Sequence, residues 1–432
     1  MVTGRPNPRA LPTVAIGRVG LLATGPVAVH LALFHSAAAA AAAVAICVGL
    51  VVWPRPDLAL VMLLALVPAA AAAGHRGTTL PTMVLGAAVL LLLRVAVDGP
   101  RLRLDLLLIL LTAAAVTVSW LMPEESFHVE QAWKACGLLL VGLVLLAVSA
   151  LRPPDPRRIA QVVAVSGGLL AAYLLIRGEY AADRLTGLGL NPNYVGAALA
   201  LPLVAAAGLA RFSRSWLWLM PAVVCACALL ETRSRGAFVM AAAGLTCVLL
   251  AARPLRYKVL IAVAVLTFTA MLPGTLGSME GNLTGSRTAT ELTANSEVRM
   301  QAALLAVRVA LDHPLRGIGY AMFPEYARAA PSLGIYINTH NDFLRLAAEC
   351  GLVTCVLLVT LLWLGLARRC ATHHAILQAL CVSYAVGLFF ANTLTYLLVS
   401  TPFWISLGCL LARSARRKED PEGGPLTAPS AT

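Results

Sequence analysis

The chain has 432 residues, of which 59% are hydrophobic and only 12% charged, where an ordinary soluble protein carries roughly 25% charge. So little polar surface cannot cover a soluble fold of this size, and the high hydrophobicity excludes a disordered chain. The formal net charge of +13 would suggest nucleic acid in a soluble protein, but beside long apolar blocks it reads as basic residues gathered on one side of a membrane.

The apolar blocks are long and do not alternate in ten-residue segments, which excludes an outer-membrane barrel. An all-α, polytopic transmembrane helix bundle remains. Arg5 and Arg9 precede the first block without a signal-peptide cleavage pattern, which predicts a retained first span. Spans then follow near 12–34, 36–53, 58–73, 80–97, 104–122, 132–150, 159–176, 193–210, 216–231, 236–252, 257–272, 350–367, 375–392 and 394–412. Several are short for the ~20 residues a bilayer asks for, and about 12 to 14 spans is the expectation. The ten cysteines show no CxxC or Cys/His metal spacing and read as small membrane hydrophobes.

With both termini cytoplasmic, the inside loops hold most of the basic residues, among them Arg55, Arg101, Arg103, Arg152, Arg157 and Arg158. The short outside loops hold only Arg76, Lys134, Arg177, Arg184, Arg233 and Arg235. That bias supports the orientation. The expected organisation is N-terminal membrane helices over 1–272, a large extracytoplasmic loop with short helices over 273–349, C-terminal membrane helices over 350–413, and a disordered cytoplasmic tail over 414–432. Within the loop, 296–311 reads as an amphipathic helix with Met300, Leu304, Val307 and Leu311 in one stripe, broken by Pro314 and Gly317-Ile318-Gly319. That Gly-x-Gly follows no strand and carries no nucleotide meaning.

Three polar motifs interrupt the apolar pattern. Asn191-Pro192-Asn193 has the form of a helix start, with Asn as cap and Pro at the first helical position. In Thr232-Arg233-Ser234-Arg235-Gly236, Ser234 can cap the following helix, the arginines can snorkel, and Glu231 can pair with one of them. In Thr339-His340-Asn341-Asp342, followed by Arg345 and Glu349, the plain reading is a capped helix with Asp342 in its first turn. A helical 340–349 makes Arg345 and Glu349 neighbours and turns His340 away from Glu349. Each is weak alone. On the expected topology all three lie on the outer face at helix N-termini, where free N–H groups and arginines suit an anion such as a diphosphate. The adjacent acids Glu124 and Glu125 read as solvated rather than as metal ligands.

The run Pro314-Leu315-Arg316-Gly317-Ile318-Gly319, with Thr339-His340-Asn341-Asp342-Phe343-Leu344 and Glu349-Cys350-Gly351, resembles the signature loop of the O-antigen ligase and O-antigen polymerase superfamily. Arg299, Ser234-Arg235-Gly236-Ala237 and the Asn-Pro-Asn run are similar to family patterns in the same order. The resemblance carries motifs over roughly 190–370 and elsewhere only hydropathy; its departure is a span count nearer fourteen than the twelve of many members. It implies transfer of a glycan from a polyprenyl diphosphate carrier to an acceptor hydroxyl of a lipid, glycan or protein, at the outer side of the cytoplasmic membrane. It implies no metal, cofactor or nucleotide sugar, and no nucleic-acid partner. It makes Arg235 and Arg299 the residues that meet the leaving diphosphate, with Arg233 and Arg316 secondary. His340 becomes the general base, and Asn341, Asn191 and Asn193 bind sugar or phosphate oxygens. Ligase and polymerase share these motifs and stay open. The competing reading is a transporter or lipid-linked glycan flippase. Against it, the acidic residues sit at span ends, and a flippase does not need the 273–349 loop.

Overall fold

The structure is a computed structural model that describes residues 54–73, 79–99, 103–123, 132–251, 289–367, 370 and 372–419. The expected spans at 12–34, 36–53 and 257–272, the loop before 289, Glu124, Glu125 and the tail beyond 419 lie outside these residues. The described part is helical, as expected. In chain order the helices are α1 (Pro56–Ala72), α2 (Thr79–Val97), α3 (Leu104–Leu121), α4 (Ala132–Leu151), α5 (Pro156–Arg177), α6 (Pro192–Ser213), α7 (Leu219–Thr232), α8 (Arg235–Leu249), α9 (Ala289–Asp312), α10 (Phe323–Ala329), α11 (Asp342–Cys350), α12 (Leu352–Leu366), α13 (Thr372–Gly387) and α14 (Leu397–Glu419). A two-stranded antiparallel hairpin, β1 (Glu179–Ala181) and β2 (Arg184–Thr186), turns through Ala182 and Asp183, both at positive φ. The sequence reading contained no such hairpin.

Long apolar helices satisfy their own backbone hydrogen bonds, which lipid requires. Four of them, α3, α4, α5 and α6, are long and apolar enough to cross a membrane, and α1, α7, α8 and α12 are shorter apolar helices. Burial separates centre from rim. In α6, 78% of the most apolar window is buried, against 33% in α3. So α6 is the hub, packed by α5, α7, α8 and α13, while α3 turns Leu107, Leu110 and Leu111 outward.

Small residues let the helices close up, since lipid is as apolar as leucine and gives helices no hydrophobic reason to associate. A Cβ on Gly142 of α4 would stand 2.2 Å from Trp404 Nε1 of α14, and one on Gly408 would stand 2.6 Å from the Leu146 carbonyl. Pro68 inside α1 has no N–H for the Leu64 carbonyl; the Ser166 hydroxyl of α5 donates to it instead at 3.2 Å. At one end of the bundle Asp98 pairs with both Arg94 and Arg152. Their guanidiniums hold its carboxyl below the ordinary value.

Several boundaries moved. The span expected at 375–392 is helical only to Gly387, and 388–396 leaves the helix to reach the polar motifs. The helix expected over 296–311 starts at Ala289, and its Met300, Leu304, Val307 and Leu311 stripe points away from the protein. The face that packs is Ala302, Leu305, Ala306 and Val309, where Ala302 and Ala306 let α9 approach α11 closely. The last helix runs on past 412 to Glu419.

Candidate active site at one end of the bundle

The first two motifs meet through Asn193. Asn191 caps α6, its side chain accepting from the Asn193 and Tyr194 N–H groups at 3.0 and 3.2 Å, with Pro192 at the first helical position. This is the capping role that the sequence suggested. Asn193 reaches further: its Oδ1 accepts from Arg184 at 2.9 Å and from the Ser234 hydroxyl at 3.2 Å. Ser234 caps α8, accepting from the Ala237 N–H at 3.4 Å. The contact is tight because Gly196 presses on that turn. A Cβ there would stand 2.7 Å from the Ala237 Cβ and 3.0 Å from the Ser234 Cβ.

Arg184 on β2 is buried and was not singled out from the sequence. Its Nε donates to the Thr232 carbonyl at 3.0 Å and its guanidinium to the Arg233 carbonyl at 3.4 Å. These are carbonyls that the end of α7 leaves open, and a cation there also suits the negative end of the helix. Arg233 itself is the left-handed cap of α7 at φ 47°. Glu231 accepts from the Tyr180 hydroxyl at 3.4 Å.

The third motif is built around residues 388–394. Asn341 caps α11, accepting from the Phe343 and Leu344 N–H groups at 2.9 and 3.1 Å. Asp342 is fully buried and accepts from the Thr393 and Leu394 N–H groups and from the Asn392 amide, while its own N–H donates to the Leu388 carbonyl. Asn392 completes the knot. Its Oδ1 accepts from the His340 N–H at 3.0 Å and its amide donates to Thr339 Oγ1 at 3.2 Å. His340 is held in the left-handed region, φ 53°, a backbone strain that costs about 1 kcal/mol or more and needs such support. Asn392 was missed because it sat in a stretch read as membrane span; its polarity between apolar blocks was the available signal.

The two halves touch. Gly236 of α8 lies under Phe390, whose Cβ would be 3.0 Å from a Cβ at that glycine. Tyr194, next to Asn193, stacks on Tyr396 at 4.0 Å between ring centroids and feels the charges of Asp342 and Arg345. So motifs that the sequence could place only on one face share one neighbourhood.

Arg345 and Glu349 pair as their spacing predicts, Nε to Oε2 at 2.9 Å, both buried. Burial works against the Arg345 charge, but Glu349 outweighs it and holds the guanidinium more firmly charged than usual. Tyr320 lies with its ring centroid 5.0 Å from that guanidinium. Glu349 also accepts from the Ala321 and Phe323 N–H groups at 2.9 and 3.1 Å. Its carbonyl takes the Ser119 hydroxyl and the Gly319 N–H. The Gly-x-Gly run therefore serves docking. A Cβ on Gly317 would stand 2.4 Å from the Glu349 carbonyl carbon, and one on Gly351 would stand 2.5 Å from that of Leu315; both glycines have positive φ.

The titrating centre is His340. Burial first, and then the Arg299 guanidinium, lower its imidazole to about 4. Arg299 on α9 is therefore close enough to act on His340 electrostatically, as a shared site requires. Burial pushes Asp342 up to about 6 against the opposing pull of Arg345 and its hydrogen bonds. Arg235 opens α8 with an exposed side chain, on the same turn as Ser234. Arg316 is exposed on the loop that docks against Glu349, and no described contact brings it to His340. Among the described residues no group of three or more His, Cys, Asp or Glu could hold a metal ion.

Residues 220–359 match the family model described as O-antigen ligase. That segment runs from α7 into α12 and contains Arg233, Arg235, Arg299, Arg316, His340 and Asn341, but neither Asn193 nor Asn392. The match supports the resemblance to the O-antigen ligase and polymerase superfamily. No curated protein matches the chain.

Proposed function

We propose that this multi-pass membrane protein is an O-antigen ligase- or polymerase-type transferase of cell-surface polysaccharide biosynthesis. It moves a glycan from a polyprenyl diphosphate carrier to an acceptor hydroxyl at the outer face of the cytoplasmic membrane. The observation that carries this is a half-buried His340 within electrostatic reach of Arg299, at the end of the bundle where Asn193 joins Ser234, Asn392 holds His340, and Tyr194 stacks on Tyr396 between the two halves.

The chemistry follows from those groups. The acceptor oxygen attacks the anomeric carbon as its proton passes to an imidazole nitrogen of His340. The bond from that carbon to the diphosphate oxygen breaks, and the diphosphate leaves with the electron pair. A base positioned this way contributes about 10²–10⁴ in rate. Arg299 and Arg235 meet the charge that grows on the leaving group, as forks that match phosphate oxygens. With the diphosphate in place, its negative charge offsets Arg299 and raises the proton affinity of His340 when a base is needed. Arg233 and Arg316 add positive field at the rim. Asn191 and Asn341 spend their side-chain oxygens on helix caps, leaving their amide N–H₂ groups to meet sugar or phosphate oxygens.

The test is complementation of cells lacking the protein with wild type, His340→Ala and Arg235→Ala, following finished glycan and lipid-linked intermediates. The proposal expects finished glycan to be lost and intermediates to accumulate on the outer leaflet in both variants. Long stranded chains then mean a ligase, and single repeats a polymerase. Intermediates held on the inner leaflet mean a flippase, and the site assignment fails.

A further inference from the structure

Helix α9 has four faces. At about 100° per residue, Ala302, Leu305, Ala306 and Val309 form the side packed on the protein. Nearly opposite lies the stripe of Met300, Leu304 and Leu311, exposed to 62, 60 and 66%, with Val307 between them. On one flank stand Glu297, Gln301, Arg308 and Asp312, all charged or polar and all outward or partly outward. On the other flank Arg299 turns toward His340. An apolar stripe bordered by a polar flank is the pattern of a helix lying in a lipid–water boundary.

Two further observations say what covers the stripe. The packed face of α9 shares one apolar cluster with Ala132 at the start of α4 and with Trp120 at the end of α3, which sets the helix near the ends of these apolar spans. The stripe is also continuous with a span's outer wall. Past Leu311 the chain reaches Leu315, 73% exposed, whose carbonyl carbon sits against Gly351, and the Leu352 N–H donates to the Pro314 carbonyl. From there α12 continues the exposed apolar surface through Leu352, Val356 and Trp363.

We propose that α9 is an interfacial helix whose Met300, Leu304, Val307 and Leu311 are covered by phospholipid acyl chains of the adjoining leaflet. The helix then carries Arg299 at headgroup depth, so the diphosphate of a lipid-linked substrate reaches it without leaving the bilayer. The placement rests on the membrane reading alone; only this last consequence rests on the transferase reading.

The experiment places a photoreactive diazirine amino acid at Leu304, and separately at Met300 and Gln301, in the full-length chain in native membranes. After irradiation, mass spectrometry identifies the adducts. Phospholipid adducts at positions 304 and 300, several-fold above those at 301, where water quenches the carbene, are the expected result. An adduct with another segment of this chain, with a second copy, or with polyprenyl lipid alone overturns the assignment, as does equal quenching at all positions. No step reads activity, so failure of the transferase reading leaves the result intact.

Discussion

Two arginine-centred pairs sit within the same loop region and behave oppositely. Arg345 and Glu349 are buried, bonded to each other and braced by backbone N–H groups from residues 321 and 323. Arg299 and His340 are only half buried, and the arginine acts on the histidine by repulsion between like charges. The first arrangement spends the Glu349 carboxylate on Arg345 and two backbone N–H groups and serves the fold. On the proposed function, the second keeps an imidazole and a cation within reach of a substrate, which serves chemistry. Burial, not residue type, tells them apart.

Mutations that break one pair and spare the other sharpen that contrast. The largest effect on transfer is expected for His340→Ala, a fall of about 10²–10⁴ in rate with the thermal unfolding midpoint in detergent little changed; full residual activity removes the base assignment. Glu349→Ala should do the reverse and act on the fold. It strands a buried guanidinium and two N–H groups, at a cost of about 3–5 kcal/mol, seen as a lowered midpoint and reduced protein level. An unaltered midpoint would mean that the pair does not brace the loop.

Arg235→Lys keeps the charge and loses the fork. One charged hydrogen bond is worth about 1.5–3 kcal/mol, so transfer should fall about tenfold or somewhat more. Equal activity in Lys and wild type would reduce Arg235 to a point charge. Asn392→Ala removes the amide that holds the His340 backbone and should cost about 1–3 kcal/mol in stability; rescue of kcat by Asn392→Gln but not by Asn392→Ala marks it as a positioning residue. The smallest effect is a shift in pH dependence. His340 at about 4 must be unprotonated to act, so kcat/KM should hold steady down through neutral pH and fall only near that value. Arg299→Gln removes one of the two causes that lower His340, so its acid limb should move upward, toward but not reaching the free-histidine value near 6.5. A limb that stays put would separate Arg299 from His340.

Much of this was legible in local patterns. Apolar block length determined the helices, and Asn191, Ser234 and Asn341 cap the helices they precede, because a cap needs only its neighbours in sequence. The Arg345–Glu349 pair followed from one helical turn. The stripe on α9 was legible as a stripe, but its direction was not. Periodicity marks an apolar face without saying whether protein or lipid covers it.

What only the tertiary structure decided is the company each motif keeps. Ser119 and Glu349 bond across 230 positions, His340 and Asn392 across 52, and Ser234 and Asn193 across 41. Such contacts depend on how helices pack, and packing in a membrane turns on small residues whose roles look alike in a string of letters. Gly196 carries no signal in the sequence, and Gly317 and Gly351 stand there only as letters of a motif. Each is the point where another chain segment comes too close for a side chain, and those approaches bring the arginines, asparagines and histidine to one end of the bundle.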